Sequence, residues 1–305
     1  MKTILIAGGT GLIGTRLTDI LVKEGHQVKI LTRSQKKSKI ENISYHQWDL
    51  QSQTADSKAF DCDAIINLTG AGIADKRWSS DRKKIIIDSR VNSTRLIKKM
   101  VSMVQNKPMY VGASAVGIYG DAEEVMMKES ETSSDQDFMV EVCKVWEDAH
   151  ESLSTVVKDI SIVRIGVVLS TKGGALKEML KPLKLACQGV YFGDGSMVYS
   201  WIHIDDICYI MKDLVIGKLP AGLYNAVAPQ PSTNKEIIEA MIEERGKFAI
   251  KIPAPAFVLK LALGEMSSTI LNSTSVSSER IEKVGYRFKY PTINKALRNI
   301  FDQSV

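Results

Sequence analysis

Gly8, Gly11 and Gly14 stand three residues apart, and Gly9-x-Gly11-x-x-Gly14 fits the fingerprint of a dinucleotide-binding turn. That chemistry needs glycine for three reasons. One glycine permits a tight strand-to-helix turn, one lets the backbone approach a pyrophosphate, and one lets the helix pack closely on the strand. The helix behind such a turn offers free N–H groups and the positive end of its dipole to the anion. Gly8, Gly9, Thr10, Gly11, Leu12, Ile13 and Gly14 are therefore the expected pyrophosphate contacts.

Downstream residues bear on which dinucleotide is bound. An acidic residue about 20 positions beyond the glycines marks a free ribose 2′-hydroxyl, whereas an arginine accommodates a 2′-phosphate. Here the stretch reads Leu31-Thr32-Arg33-Ser34, with no carboxylate before Glu41. Arg33 is expected to pair with the phosphate, and Thr32 and Ser34 to add hydroxyl donors, so NADP (NADPH) is favoured over NAD. One charge-assisted hydrogen bond of about 1.5–3 kcal/mol corresponds to roughly tenfold to a hundredfold preference. Asn67-Leu68-Thr69-Gly70 is expected beside the ribose and pyrophosphate. Asp49 fits either an adenine-side contact or a turn cap.

These residues need a scaffold, and the hydrophobic spacing supplies one. Ile4–Ala7 reads as a buried strand, and Leu12, Ile13, Leu17, Ile20 and Leu21 mark a helix. Further strands are predicted at His26–Leu31, Ile43–Trp48, Ala64–Leu68, Met109–Ala113 and Ile160–Ile165, with helices over Ser80–Val104 and Asp137–Leu153. Such alternation implies an α/β fold, a doubly wound parallel sheet of Rossmann type. From Gly173 the elements shorten and glycine and proline increase. A strand at Val198–Ile202 and helices at Ile204–Ile216 and Asn234–Arg245 are predicted, with Pro253-Ala254-Pro255 as a stop before another helix. The expected division is a dinucleotide-binding domain over 1–172, with later segments returning to its sheet, and a smaller mixed substrate domain over 173–305.

Composition excludes several classes. The chain has 305 residues, 44% of them apolar and 25% charged, with a net charge of +5, ordinary for a globular enzyme. The cluster Lys36-Lys37-Ser38-Lys39 has no interleaved aromatics, so it reads as a solvated loop, or one near a cofactor phosphate, and not as a nucleic-acid contact. Cys62, Cys143, Cys187 and Cys208 are scattered, which argues against a metal site and a disulfide framework. No apolar run reaches bilayer length and no leader precedes the first strand, so a cytoplasmic protein acting on a small molecule, with no membrane partner, is expected.

Taken together, these stretches resemble the extended short-chain dehydrogenase/reductase superfamily. The resemblance is carried by Gly8–Gly14, Asn67–Gly70, Ser114 to Tyr119-Gly120-Asp121, and Trp201-Ile202-His203-Ile204-Asp205-Asp206. Ala74–Trp78, Ser89-Arg90-Val91, Arg164–Leu169, Gly173-Gly174-Ala175, Gly264-Glu265 and Gly285–Pro291 are similar to its atypical "epimerase family protein" branch, across essentially the whole chain. The resemblance implies an NADP-binding relative of nucleotide-sugar epimerases and dehydratases with a short C-terminal domain of unknown function. Arg90 and Val167 complete the expected cofactor contacts.

The superfamily's acid/base pair is Tyr-x-x-x-Lys on one helix face, the lysine lowering the phenol's pKa. None of the nine tyrosines here has a lysine four residues later. Placing Glu147 on the acidic residue that follows the motif puts Met139 and Cys143 at the two positions, and a shift by one gives Val140 and Lys144. Ser114 is either the hydroxyl that meets a substrate oxygen or a bonded loop serine, and Tyr119 is the nearest phenol. His203, Asp205 and Asp206 fit hydrogen bonding across the domain junction. Two functions follow: an oxidoreductase or epimerase whose proton comes from water, Ser114 or the second domain, or a non-catalytic sensor of NADP(H) occupancy.

Overall fold

The computed structural model describes residues 1–122, 125–133, 136–246 and 248–303, so 304 and 305 of the expected second unit lie outside it. The main sheet is built from β1 (Thr3–Ala7), β2 (Gln27–Thr32), β3 (Ile43–Asp49), β4 (Thr54–Ala55), β5 (Ala64–Asn67), β6 (Met109–Ala115), β7 (Ile160–Ile165) and β8 (Leu223–Ala226). Its order is β8-β7-β6-β5-β1-β2-β3-β4. Every pairing is parallel except β3 with β4. The strand order reverses at β1. The crevice at the carboxyl ends of a doubly wound sheet forms at such a switch point.

Alternation along β1 explains the two covering layers. Ile4 and Ile6 pack with Leu17, Ile20 and Leu21 of α1 (Leu12–Lys23) and with Ile207, Ile210, Met211 and Leu214 of Ile204–Ile216. Leu5 and Ala7 face the other way, onto Leu96, Ile97 and Met100 of α2 (Ser80–Val101). The helix α3 (Phe138–Glu151) lies beside α2, its Phe138, Met139, Val142 and Cys143 packing with Ile86. We call Ile204–Ile216 α4. It and β8 return from beyond residue 173 to the main sheet, β8 pairing Leu223 with Ile162 through Ala226 with Ile165.

The remaining C-terminal segments form their own core. Leu176, Leu180 and Leu183 of the helix Gly174–Ala186 meet Ile237, Ile238 and Met241 of Asn234–Glu244 and Leu297 and Ile300 of Ile293–Asp302. The predicted strand Val198–Ile202 is two pieces broken at Ser200. Val198–Tyr199 pairs with Ser232–Thr233, and Trp201–His203 pairs with Val167–Leu169. Ser200 breaks the run because its hydroxyl donates to Thr274 O and accepts from Val276 N. Pro253 lies inside a strand, Ile250–Ala254, whose only partner among the described residues is Gln188–Phe192. A proline fits such an edge because its missing N–H is not needed by a second neighbour. The expected helix stop falls one step later, with Pro255 capping Ala256–Leu263.

Candidate functional site

At the carboxyl end of β1, Gly8, Gly9 and Gly14 are required by contact, each for a different one. Gly8 has φ of +81°, and a Cβ there would lie 2.8 Å from the Leu68 carbonyl carbon. A Cβ on Gly9 would strike Ile30 at 2.8 Å, and one on Gly14 would lie 2.4 Å from Gly8 O. Gly11 caps α1 with no side chain over the helix end, and its N–H donates to Gly8 O at 3.0 Å. The first α1 turn has lone N–H groups beneath exposed Thr10 and Gly11. This cradle fits a pyrophosphate.

The second cofactor segment is held from below. Asn67 is fully buried, and its amide donates to Thr94 Oγ1 (3.1 Å) and Tyr110 OH (3.2 Å) while its Oδ1 accepts from Thr69 N. Its side chain shapes the Leu68-Thr69-Gly70 loop, with its amide and carbonyl both engaged inside the protein. Leu68 N donates to Ala7 O, which sets the loop against the glycine turn. Thr69 Oγ1 is buried without a partner among the described residues.

At the end of β2, Thr32 Oγ1 donates to Ser34 O and accepts from Ser34 N, which rounds the chain past Arg33. Arg33 is exposed and forms no ion pair among the described residues. Asp49 Oδ1 accepts from Gln51 N at 2.8 Å, the turn-cap alternative, and this bond holds the carboxyl below its usual range.

The helix α3 carries no acid or base at the positions of the superfamily's tyrosine and lysine, 139 and 143. Met139 and Cys143 are buried on α3 and pack beneath Gly117, whose Cβ would stand 3.5 Å from Met139 Cβ and 3.7 Å from Cys143 Sγ. Burial pushes the Cys143 thiol up to about 12, so no thiolate forms near neutrality. Lys144 is exposed, its ammonium on Ser133 O, which rules against the shifted register.

Ser114 and Tyr119 belong to one buried network. Ser114 Oγ donates to Glu147 Oε1 at 2.6 Å, and Glu147 receives Arg164 through Nε and Nη2, both at 2.9 Å. Arg164 Nη1 also donates to Tyr119 OH at 2.8 Å, and Tyr119 OH donates to Asn225 Oδ1 at 2.7 Å. Burial would lower the Arg164 pKa, but the Glu147 carboxylate raises it above its usual range. Burial raises the Tyr119 phenol, against Arg164 beside it. Both candidate hydroxyls are therefore engaged with protein partners, and for Ser114 this is the bonded-serine alternative. Removing one member of a buried pair of this kind costs about 3–5 kcal/mol. Glu129, whose Oε1 accepts from Asn225 N, completes the network and was not foreseen. An arginine in the apolar strand Ile-Ser-Ile-Val-Arg-Ile was the available signal, since such a charge demands a buried partner.

The junction residues act as fasteners. His203 caps α4, its Nδ1 accepting from Asp205 N, and it stacks on Tyr290 with ring centroids 3.8 Å apart. Asp205 receives Arg16 Nε and Nη2 at 2.6 and 2.9 Å. Asp206 accepts from Tyr286 OH and from the backbone of Lys289 and Tyr290, tying the C-terminal segment to α4. Trp201 is buried, its Nε1 on Ser232 Oγ. Val167 is half-buried and donates its N–H to Ser200 O. Gly173 and Gly174 pack on Leu12 of the glycine turn, with Cβ positions 3.4 and 3.6 Å from its methyls. The second unit thus reaches the cofactor cradle at that point. Among the described residues no group of three or more His, Cys, Asp or Glu side chains could hold a metal ion.

A switch-point crevice with this cradle defines a dinucleotide-binding α/β protein. The chain belongs to the NAD dependent epimerase/dehydratase family, whose profile matches residues 4–216, and residues 254–300 match a domain of unknown function, DUF1731. It is 32% identical to "Epimerase family protein YfhF" of Bacillus subtilis, over 97% of each chain. It is 33% identical to the Arabidopsis thaliana "Epimerase family protein SDR39U1 homolog, chloroplastic", over 98% of this chain and 86% of that one. The crystal structure of human epimerase family protein SDR39U1 (isoform 2) with NADPH matches with a TM-score of 0.86 at 29% identity, covering 98% of this chain and 99% of that one. UDP-glucuronic acid 4-epimerase from Bacillus cereus, solved with UDP-glucuronic acid and NAD, shares the fold at 15% identity and a TM-score of 0.79, covering 99% and 100%.

Proposed function

We propose that this chain binds NADP(H) and acts as an oxidoreductase or epimerase on a small polar substrate without a tyrosine–lysine pair. The observation that carries this is the cradle itself: Gly8, Gly9 and Gly14 stand where any Cβ would collide, below an uncovered helix N-terminus. The NADPH-bound human relative supports the same cofactor. The turn and the Leu68–Gly70 loop would hold the pyrophosphate and ribose, and the unpaired, exposed Arg33 would take the 2′-phosphate. When bound, the nicotinamide supplies hydride transfer. Neither Met139 nor Cys143 can move a proton near neutrality, so in this reading water, Ser114 or a residue of the C-terminal segments carries it.

Calorimetric titration with NADPH and NADH tests the proposal. We expect a preference for NADPH of about tenfold to a hundredfold, collapsing in Arg33→Ala. Equal affinities in the parent protein would end the 2′-phosphate assignment. The apolar, thiol-only pair at 139 and 143 also favours a second function, reporting NADP(H) occupancy without turnover. Two readouts together separate these functions: oxidation of NADPH by a small carbonyl compound, and interconversion of a sugar nucleotide's stereoisomers with no net change in the cofactor, because a sensor does neither.

A further inference from the structure

The helix Ala256–Leu263 is apolar at every position except Lys260, and none of its eight residues is buried. A helix that is hydrophobic all round belongs against apolar matter on every side. Ala256, Leu259 and Leu263 are half-buried on the protein, whereas Phe257 is 72%, Leu261 80% and Val258 45% exposed. Phe257 and Leu261 stand one above the other at i and i+4, with Val258 beside them, so the three form one stripe. Gly264, three residues beyond Leu261, ends the helix with φ of +62°.

A cation is fixed at that end. The Arg77 guanidinium lies over Gly264, where a Cβ would fall 2.9 Å from Nη2, 3.0 Å from Nε and 3.3 Å from Cζ. Among the described residues Arg77 makes no hydrogen bond or ion pair, because the carboxylates beside it are taken. Asp75 pairs with Arg82 at 3.4 Å, and Glu265 with Lys83 at 2.6 Å. The loop that carries Arg77 is held in place. Trp78 Nε1 donates to Ile73 O at 2.9 Å, Ala71 N donates to Ser89 Oγ at 2.9 Å, and Ala71 O accepts from Arg90 Nη1 at 3.2 Å. Lys76 and Lys260 are exposed and likewise unpaired among the described residues. Two stretches that mark the branch, Ala74–Trp78 and Gly264-Glu265, thus meet at a place the cofactor cradle does not use.

An exposed apolar stripe marks a binding surface, and a guanidinium fork matches the paired oxygens of a carboxylate or phosphate. Placed end to end, they suit one ligand that has both parts. Three unpaired cations, with the two neighbouring carboxylates already paired, make its head group negative. The helix is about 12 Å long, which suits a single hydrocarbon chain. A helix that lies in a membrane surface carries a charged face opposite its apolar one. Here the opposite face is apolar and seated on the protein, which favours one chain over a bilayer.

We propose that Phe257, Val258, Leu261 and Arg77 form a binding site for a singly dispersed anionic amphiphile. Its hydrocarbon chain lies along the stripe, and its carboxylate or phosphate meets the Arg77 fork. The site goes beyond the function proposed above and does not depend on it.

The test uses the full chain, titrated by calorimetry with decanoate and decyl phosphate below their micelle concentrations. Butyrate and decan-1-ol are the controls that lack the chain or the charge. At least one anionic amphiphile should bind at least tenfold more tightly than either control. Phe257→Ser combined with Leu261→Ser, both exposed positions, should weaken that binding at least tenfold at a parent-like urea midpoint. Arg77→Gln should weaken it at least fivefold, and Arg77→Lys by less. Parent-like affinity in the double variant or in Arg77→Gln overturns the proposal, as does equally tight binding of butyrate or decan-1-ol. Sedimentation with phosphatidylglycerol vesicles that is lost in the double variant, without binding of dispersed amphiphile, overturns it in favour of a bilayer surface. A parent dimer that becomes monomeric in the double variant, again without amphiphile binding, overturns it in favour of a second copy of the chain.

Discussion

Two glycines three residues apart do different work, and the difference can be measured. Gly14 is inside α1, where a Cβ would meet only backbone: Gly8 O at 2.4 Å and Gly9 Cα at 2.6 Å. Neither neighbour is the end of a flexible side chain, so the helix itself must shift. Gly11 is exposed, has an ordinary extended backbone at φ −79° and ψ −178°, and would place its Cβ 3.3 Å from Gly8 O. Gly14→Ala should therefore lose both stability, by about 1–3 kcal/mol as overpacked sites do, and NADPH binding. Gly11→Val should unfold at nearly the parent's urea midpoint yet bind NADPH at least tenfold more weakly, because its side chain caps the helix end. Urea melts paired with NADPH titration check this. Parent-like binding by Gly11→Val would remove the helix N-terminus from the site.

At the level of elements, two buried histidines hold helices in place while neutral. His150, on α3, donates Nε2–H to Ala113 O of β6 at 3.0 Å and accepts from Tyr110 OH at Nδ1, at 2.7 Å. His203 caps α4 through Nδ1. Burial lowers both to about 4 from 6.5. The unfolded chain takes up these protons near pH 6.5, and the folded chain only near 4. Stability from the neutral imidazoles is complete above pH 6.5 and is lost as pH falls through that window, on the order of 3 kcal/mol for each. Urea unfolding from pH 7.5 to 4.5 should show this fall, with a shallower slope in His150→Gln. A flat profile in the parent would mean that the two rings take up protons at the same pH in the folded and the unfolded chain.

These elements were differently visible in the sequence. Apolar spacing located β1, α1, α2, α3, β7 and α4 to within a few residues, because each buries one continuous stripe against the sheet. The edge strand β8 was missed, since Leu-Tyr-Asn-Ala is four residues long and includes an asparagine whose partners lie at Glu129 and Ser277. Side-chain direction was the harder matter. Ser114 and Asn67 both end strands at the crevice, yet their polar atoms face Glu147 and Thr94 inside the protein. A residue's place at a strand end fixes its backbone position, while its partners fifteen or more residues away decide whether its side chain is free.

For the molecule as a whole, the question is whether the C-terminal unit takes part in ligand binding. It is fastened by Asp206 to the Tyr286–Tyr290 segment and by Asp205 to Arg16, one helical turn into α1 from Leu12. Its contact with the glycine turn itself is lighter. Gly173 and Gly174 rest on the methyls of Leu12, and Gly174 has φ of +72°, a hinge-permitting conformation for a residue that opens a helix. The turn at Gly193 and Gly195, both with positive φ, is seated against Lys235 and Tyr191 and so moves with the helix Asn234–Glu244. A ligand under Leu12 should thus be felt first at 172–176 and only weakly at 193–195. Hydrogen exchange with and without NADPH is expected to slow at 8–15, 67–72 and 172–176, with the fastened region at 286–290 unchanged. Protection at 193–205 as well, on adding a sugar nucleotide to the NADPH complex, would mark the second unit as the substrate cover. Protection restricted to 8–72 under every condition would leave that unit outside the reaction and favour the occupancy sensor.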